Sequence, residues 1–484
     1  MNRRDFLGTM AMLSCARMFS MPAGSAVFDK PRLKIGIISD THIIDEDVDH
    51  GYCGGTQTFE KALTWFRDQG VDGILIAGDL TDWGLQDQLR NVARAWYRVF
   101  PKDKGLGGRK VEKLFVYGNH DIDGWKWGYP QTYNKPKEMF SEEKCIDLHR
   151  AEIWEECFHE KFTPFWVKNV KGYIFIGSHY QHGEHLDGFK EYMDSIRSLI
   201  PSGNMPFFYT QHLHLKNTCS GQWAWGQDDG QVTDYLSQFP NAVAFSGHSH
   251  TVLTDERTIW QGAFTSVGTA SLRYEYLFGG HENSYSDSGN DKGHAMPRIE
   301  LTDGRAGLLM TVYDDCIALA KRDFVYDDYL GDDWVFPLGD NDKYSFTGRA
   351  ASEKAPQFPQ GSRITLLREK RKDRTGREMD AVVLRFPNVL KCNTGIRAFD
   401  YEVTASTVGE FGMDKRVVMQ RRVYSAGCYK AESQDLGDVE MVFDWDELTD
   451  TVDTKRLPPD FLFEVRPCGA FNAKGEPLTL KVRF

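Results

Sequence analysis

Short runs of apolar residues alternate with amphipathic stretches over the first half of the chain. Between the runs, apolar residues recur at helical spacing in three stretches, for example at Phe59, Ala62, Leu63 and Phe66. The runs are rich in Ile, Val, Phe or Tyr and too short for helices, which indicates buried strands at 33–38, 73–77, 113–117, 173–178, 206–210 and 242–246. Further strands are predicted at 265–267, 308–313 and 316–320. This alternation predicts an α/β domain.

The pattern changes towards the C-terminus. Residues 324–362 are irregular, with Gly, Asp and Pro breaks, and we expect this connecting segment to lie on the first domain through Trp334 and Phe336. Beyond it, apolar and polar residues alternate with period two at 381–386, 398–405, 416–425, 439–445, 462–467 and 478–484. This alternation predicts a smaller all-β sandwich over 363–484, of immunoglobulin or fibronectin type.

Size and charge narrow the class of protein. With 484 residues, the chain exceeds what one hydrophobic core supports, which favours several domains. The formal net charge of −12 and the lack of a long Lys/Arg run argue against a nucleic-acid-binding module. Past the N-terminus no apolar stretch approaches the ~20 residues of a membrane span, so we expect no transmembrane anchor there.

The first 26 residues differ from the rest. Arg3 and Arg4 precede a moderately apolar run at 6–21 and small residues at 23–26, so residues 1–26 are interpreted as an export signal outside the fold. Residues 2–7 resemble a twin-arginine signal. We therefore expect an exported, periplasmic protein, or a membrane-attached one if Cys15 is lipidated. The other eight cysteines are scattered without a CxxC pair, which favours mostly buried thiols with one or two bridges.

Polar side chains follow five of the predicted strands. They are Asp40 and His42, then Asp79, then Asn119, His120 and Asp121, then His212 and His214, and finally His248 and His250. Because ligands bind beyond the carboxyl ends of strands in open α/β sheets, the five clusters predict one site. Oxygen and imidazole donors without a thiolate suit Mn, Fe or Zn. About seven donors exceed one tetrahedral centre, so we expect two divalent ions that share a carboxylate.

In chain order the clusters form the pattern D-x-H, G-D, G-N-H-D, a lone His and G-H-x-H over residues 40–250. This pattern resembles the calcineurin-like metallophosphoesterase superfamily, and among its branches it is closest to the bacterial phosphodiesterases. The resemblance implies a layered α/β/β/α sandwich over 27–323. It also implies hydrolysis of a phosphodiester or phosphomonoester in a small phosphorylated substrate, through attack by a metal-bridging hydroxide.

The resemblance further implies a role for each residue. The first metal would be held by Asp40, His42, Asp79 and His250, and the second by Asp79, Asn119, His212 and His248. His120 would assist the leaving group, and Asp121 would orient His120. His214 is the alternative to His212 as a ligand; otherwise we expect it near the substrate, or behind the ligands, with Trp125 as a further substrate-binding residue.

Two positions separate the chain from other branches. Asp82 stands where purple acid phosphatases carry an iron-binding Tyr, and Asp121 stands where periplasmic 5′-nucleotidases carry Glu. The substrate stays open between a phosphate ester and, as an alternative, the pyrophosphate bond of a nucleotide sugar. A decayed metal site beside a surface-binding sandwich is disfavoured by the complete ligand set. We interpret His179, His182 and His185 as a polar loop rather than a third metal site.

Overall fold

The computed structural model describes residues 30–45, 55–127, 140–219, 226–277, 299–301, 304–339, 346–373, 376–391, 396–409, 415–431, 434, 436–450 and 460–484. The predicted signal at 1–26 lies outside these residues. Within them, no helix is both long and apolar enough to cross a membrane. The six cysteines in these ranges are all buried and free.

The elements of the first domain follow the predicted alternation. Its strands are β1 (Leu33–Ile38), β2 (Gly73–Ala77), β3 (Glu112–Val116), β4 (Phe165–Val170), β5 (Tyr173–Ser178), β6 (Phe207–Thr210), β7 (Ala242–Ser246), β8 (Ile259–Gln261), β9 (Thr265–Gly268), β10 (Glu275–Leu277), β11 (Ile299–Leu301), β12 (Ala306–Val312), β13 (Cys316–Asp323), β14 (Asp328–Tyr329) and β15 (Trp334–Pro337). Its helices are α1 (Thr56–Asp68), α2 (Gln86–Val99), α3 (Asn119–Asp123), α4 (Arg150–Phe158), α5 (Phe189–Ser195) and α6 (Gln231–Leu236).

Two mixed sheets form the centre of this domain. The first has the order β14-β13-β12-β1-β2-β3, with β15 also paired to β13, and the second has the order β4-β5-β6-β7-β9-β8. The pairs β1–β2 and β2–β3 are parallel in the first sheet, as are β5–β6, β6–β7 and β7–β9 in the second. Parallel strands end at the same edge of their sheet, which brings the segments after them together.

The two sheets pack face to face, and helices cover their outer faces. Ile35 and Leu75 of the first sheet share one apolar core with Phe208 and Phe245 of the second. Residues of α1, α2 and α4 pack in a second core against the first sheet, and those of α5 and α6 pack in a third against the second sheet. Strands buried on both faces read as continuous apolar runs. The expected α/β/β/α layering is confirmed.

Two antiparallel sheets form the C-terminal domain. After helix α7 (Phe346–Ser352), the strands are β16 (Thr365–Lys372), β17 (Glu378–Pro387), β18 (Asp400–Val408), β19 (Arg416–Tyr424), β20 (Asp438–Asp444), β21 (Asp460–Cys468) and β22 (Leu478–Arg483). They pair as β16-β17-β20 and β19-β18-β21-β22, and apolar residues of both sheets form one core between them. The expected all-β sandwich is confirmed.

The second half of the chain contains elements that the sequence analysis does not predict, among them β8, β10, β11, α7 and β16. Strand β16 has the sequence TLLREKRK and is partly exposed along its length; its charges conceal the strand period, as is common for an edge strand. Strands β14 and β15 lie inside the segment that we predict as irregular. They pair with β13, and Trp334 and Phe336 are buried in the core between the sheets of the first domain.

Candidate metal centre

The residues that follow β1, β2 and β7 have an unusual backbone. Asp40, His42, Asp79, His248 and His250 all have positive φ, between +46° and +73°, in the left-handed region that disfavours a side chain. Such strain persists where the surrounding structure imposes it, and it concentrates at functional sites. The two mixed sheets therefore hold these five side chains in a shape that the local sequence alone does not favour.

Asp40, His42 and His250 form the first group of potential ligands. One donor atom from each lies within 4.8 Å of the others. His250 Nε2 is 3.0 Å from Asp40 Oδ1, and His42 Nε2 is 3.3 Å from His250 Nε2. All three are buried. Two imidazoles and one carboxylate so close together suit a divalent transition metal.

Asp79, His212 and His248 form the second group. His212 Nε2 is 3.1 Å from Asp79 Oδ2 and 3.2 Å from His248 Nδ1. Asp79 Oδ2 is also 3.7 Å from His42 Nε2 of the first group. The Asp79 carboxylate therefore lies between the two groups, where the sequence analysis expects a shared ligand.

The environment of Asn119 shows whether the site fits a metal ion. Its Oδ1 atom is buried and has no hydrogen-bond partner among the described residues. A buried amide oxygen without a partner is costly, and a cation would satisfy it. This unpaired oxygen, close in sequence to His120 at the same strand end, fits the ligand set expected for a second ion.

The hydrogen bonds behind the histidines orient their rings. The Nδ1 atoms of His212 and His250 donate to the backbone oxygens of Ala77 and Tyr274, at 2.8 and 2.9 Å, because a carbonyl oxygen can only accept. His42 Nδ1 donates to Asp82 Oδ1 at 3.0 Å. Each bond leaves the Nε2 lone pair directed into the group, as is typical of metal-binding histidines.

Burial and charge set the protonation of these rings. Burial, followed by the nearby charges of His120 and Arg273, holds the pKa of His42 well below its usual value. Burial also opposes the charged form of His212, but the Asp79 carboxylate prevails and raises the pKa of His212 to about 9. A bound cation would release that proton, because a metal ligand must be deprotonated.

Asp121, which the sequence analysis expects to orient His120, is fully buried. Its carboxylate accepts hydrogen bonds from the backbone nitrogens of Gly118, Leu80 and Thr81 at 2.8, 3.1 and 2.8 Å. It therefore ties the turn after β2 to the turn after β3. Burial, followed by the charge of Asp79, raises the pKa of Asp121 to about 7.

Asp82 occupies the position behind His120. His120 Nδ1 donates to the backbone oxygen of Asp82 at 2.7 Å, while the Asp82 carboxylate accepts from His42 Nδ1 and pairs with the buried Arg273. The sequence analysis uses Asp82 only to exclude a Tyr ligand and does not consider Arg273. The sequence feature that could have identified Asp82 as part of the site is its position, three residues after Asp79.

Other predicted residues lie around this centre. His214 is buried, and its ring nitrogens hydrogen-bond Ser246 Oγ at 2.8 Å and Ser249 Oγ at 2.5 Å, as expected for a position behind the predicted ligands. Trp125 is half-buried, whereas Trp127 of the same aromatic loop is 44% exposed. The Trp127 ring lies edge-on to His120, with centroids 4.7 Å apart.

The three histidines after β5 do not converge. His179 Nδ1 accepts from the backbone nitrogen of Tyr117 at 3.0 Å, His182 contacts Asp123 at 2.8 Å, and His185 contacts Asp229 at 2.6 Å. Because the partners differ, the described residues do not form a third metal group there.

Two mixed sheets carry Asp, Asn and His side chains at their strand ends, in groups that could hold metal ions. Residues 33–252 match the family described as calcineurin-like phosphoesterase, and this part of the chain belongs to that family. The chain is therefore a hydrolase that acts on phosphoric ester bonds, with a site of the kind that typically holds two metals.

Individual proteins of known structure resemble this chain, although at low sequence identity. No curated protein sequence matches this one. A conserved uncharacterized protein from Streptococcus pneumoniae, described as a predicted phosphoesterase, is 12% identical over 63% of this chain and 97% of that chain, with a TM-score of 0.27. Vacuolar Protein Sorting 29 from Cryptosporidium parvum is 10% identical over 63% and 98%, with a TM-score of 0.28. A protein of unknown function from Aquifex aeolicus is 18% identical over 42% and 85%, with a TM-score of 0.20.

Proposed function

We propose that this protein is an exported phosphoesterase with two divalent metals, which hydrolyses a phosphodiester or phosphomonoester in a small phosphorylated substrate. The observation that carries the proposal is the position of Asp79 between two ligand groups, with His120 beside them. Two bound ions, Mn, Fe or Zn by their ligands, would clamp the phosphate oxygens and supply a water-derived nucleophile near neutral pH.

The residues around Asp79 hold the reacting groups in place. Asp79 Oδ1 accepts from the backbone nitrogen of His120 at 2.8 Å, so the turn that carries His120 is anchored to the carboxylate between the ligand groups. This arrangement keeps the His120 ring beside the point where phosphate oxygens would be held. Positioning of this kind is a main source of rate enhancement in phosphoryl transfer.

His120 is the residue proposed to assist the leaving group. Because its Nδ1 proton is committed to the Asp82 backbone oxygen, Nε2 is the ring atom that can deliver a proton when the ring is cationic. The departing alkoxide needs that proton or a nearby positive charge. The ring is partly exposed, as a residue that meets a substrate must be.

Replacement of Asp79 tests this proposal directly. Asp79→Asn should abolish hydrolysis and lower the metal content, because an amide offers one neutral oxygen where two ions need a shared carboxylate. Asp87→Asn is the matched control, since Asp87 lies exposed on α2 and pairs with Arg90 on the same helix. Full activity with unchanged metal content in Asp79→Asn would refute the proposal.

A substrate panel separates the types of ester. With the Mn²⁺-loaded protein, faster turnover of a bis-aryl phosphate diester than of the aryl monoester assigns a phosphodiesterase, and the reverse order assigns a phosphatase.

The exposed Trp127 ring against His120 supports an alternative in which a base stacks there and a pyrophosphate bond is cut. Hydrolysis of nucleoside diphosphate sugars faster than of either aryl ester would favour that alternative.

Export is proposed from the N-terminal sequence alone. Arg3 and Arg4 precede the apolar run of a signal, and Cys15 offers an alternative lipid attachment. In a bacterial host, replacing both arginines with Lys should retain the protein in the cytoplasm, because the twin-arginine route requires them. Cell fractionation measures this, and unchanged export of the double variant would contradict a twin-arginine signal.

A further inference from the structure

A cavity of about 290 Å³ lies between the two domains, away from the metal ligands. Its wall includes Thr254, Lys321 and Trp334 of the first domain and Arg397 and Phe471 of the second. The volume is near the lower end of the range for small-molecule sites, which favour such boundaries between domains.

Lys321 contributes an unpaired charge to this cavity. The residue is 2% exposed and lies on β13 two residues after Leu319, so it continues the face that packs between the sheets. Its ammonium forms no hydrogen bond or ion pair with a described residue, and the centroid of the Trp334 ring lies 4.5 Å from Nζ. Burial lowers the pKa of Lys321 to about 8.

Two further donors face the same space. The Thr254 hydroxyl is buried and lacks a hydrogen-bond partner within the described ranges. Arg397 packs against the backbone of Gly331, donates to the Gly427 oxygen at 3.3 Å, and lies near enough to Lys321 for its charge to disfavour the ammonium. Two neighbouring cations and an unpaired hydroxyl form a binding set for an anion.

Four carboxylates line the wall, those of Glu256, Glu353, Asp332 and Asp333, and each has a partner in the protein. Glu256 accepts from Trp334 Nε1 at 3.1 Å and pairs with Arg349. Glu353 accepts from the backbone nitrogens of Phe471 and Ala473 at 3.0 and 2.9 Å. Asp332 pairs with Lys391. The charges of Glu256, Asp333 and Asp332 favour the Lys321 ammonium, but among the described residues none of these carboxylates forms an ion pair with it.

We propose that this cavity binds a small molecule through a carboxylate or phosphate group, which Lys321, Thr254 and Arg397 contact together. The Trp334 and Phe471 rings form the apolar part of the wall. The ligand joins the two domains, because its contacts come from both. The site is separate from the metal centre and does not depend on the proposed reaction.

Calorimetric titration of the metal-loaded protein tests the site with two probes, inorganic phosphate and succinate. Binding of either probe that Lys321→Met weakens at least about tenfold supports the proposal, since one charge-assisted contact is worth that much. If only phosphate binds, the natural ligand carries a phosphate group. If only succinate binds, it carries a carboxylate. Lys370→Met is the matched control and should change the affinity less than about threefold, because Lys370 pairs with Asp380 on the surface and does not line the cavity.

Two outcomes would overturn the proposal. In the first, wild type and Lys321→Met bind the probes with equal affinity. In the second, phosphate binds only at the metal centre and succinate does not bind. Turnover of an aryl phosphate ester verifies that Lys321→Met is folded. If that variant does not fold, acylation of wild-type Lys321, followed by peptide mass spectrometry, replaces it: protection by a probe supports the site, and unchanged labelling overturns it.

Discussion

At the scale of single residues, the site depends on which carboxylate supports which histidine. Asp121 holds two turns together through backbone nitrogens, whereas Asp82 contacts His42 through its side chain and His120 through its backbone. Arg273 keeps Asp82 in place through a buried ion pair. Asp82 is therefore a positioning residue that links a metal ligand with the proposed proton donor.

Asp82→Asn should lower kcat by about 10- to 100-fold, the usual effect of losing a carboxylate behind a metal-binding histidine. The amide oxygen can still accept from His42 and Arg273 but no longer carries the negative charge that pairs with the buried Arg273, so metal affinity should fall as well. The measurement is kcat and metal stoichiometry together. Asp82→Glu should restore part of the activity, and a variant Asp82→Asn with wild-type kcat and metal content would contradict this role.

At the scale of elements, the turns after the strands determine the shape of the site. Gly78 follows β2 with φ +91°, and a Cβ atom there would collide with the His212 ring. Similarly, a Cβ atom at Gly247 would meet Asp40 and Ser39. These turns place backbone against ligand side chains, which only glycine allows.

Gly78→Ala should therefore abolish metal binding by displacing His212. Gly172→Ala is the matched control, because Gly172 has φ +94° and no atom near the added methyl group. The control carries only the left-handed backbone cost of about 1–2 kcal/mol and should keep its metals. Metal content and thermal melting of the two variants measure the difference, and equal metal content would show that the collision is harmless.

His179 links the ends of β3 and β5, and with them the two sheets. Burial lowers its pKa to about 3, so the folded state keeps the ring neutral while the unfolded chain takes up a proton below about pH 6.5. Stability should therefore fall with acidification, by up to about 1.4 kcal/mol per pH unit from this group. In His179→Gln the amide oxygen can still accept from the Tyr117 backbone nitrogen. Between pH 6.5 and pH 5, the free energy of unfolding of this variant should therefore fall by about 2 kcal/mol less than that of wild type. Denaturant unfolding at both pH values measures this, and parallel losses would contradict it.

At the scale of the whole molecule, the segment 346–353 joins the two domains. Arg349 pairs with Glu256 of the first domain and donates to the backbone oxygen of Ile259 at 3.2 Å. Glu353 accepts from backbone nitrogens in the loop after β21. The connection is therefore held on both sides by largely buried charges, which favours a defined arrangement of the domains.

Arg349→Met should destabilise the junction by about 3 kcal/mol, because it leaves Glu256 without its cation in a largely buried position. Calorimetry should then resolve two unfolding transitions where wild type has one. Arg385→Met, which breaks a more exposed pair with Glu440, should cost at most about 1 kcal/mol. If Arg349→Met unfolded in a single transition at the wild-type temperature, the conclusion that the Arg349–Glu256 pair holds the domains together would be wrong.

The order of elements was largely predictable because it rests on local patterns. Buried strands such as β2 are continuous apolar runs, and β18 and β21 alternate with period two. Strand β16 could not be predicted, since its charged residues face solvent on an edge. The short β14 and β15 form strands because they pair with β13, and β15 also buries Trp334 and Phe336 in the core.

The sequence alone determined which side chains follow each strand, and with them the metal-binding chemistry, because strand ends and their ligands are set by neighbouring residues. Only the tertiary structure decided which partners those side chains find. Asp82 and Arg273 are 191 positions apart, and Lys321 and Arg397 meet only where the domains pack. Such contacts depend on how sheets and domains pack in space, which no local pattern in the chain records.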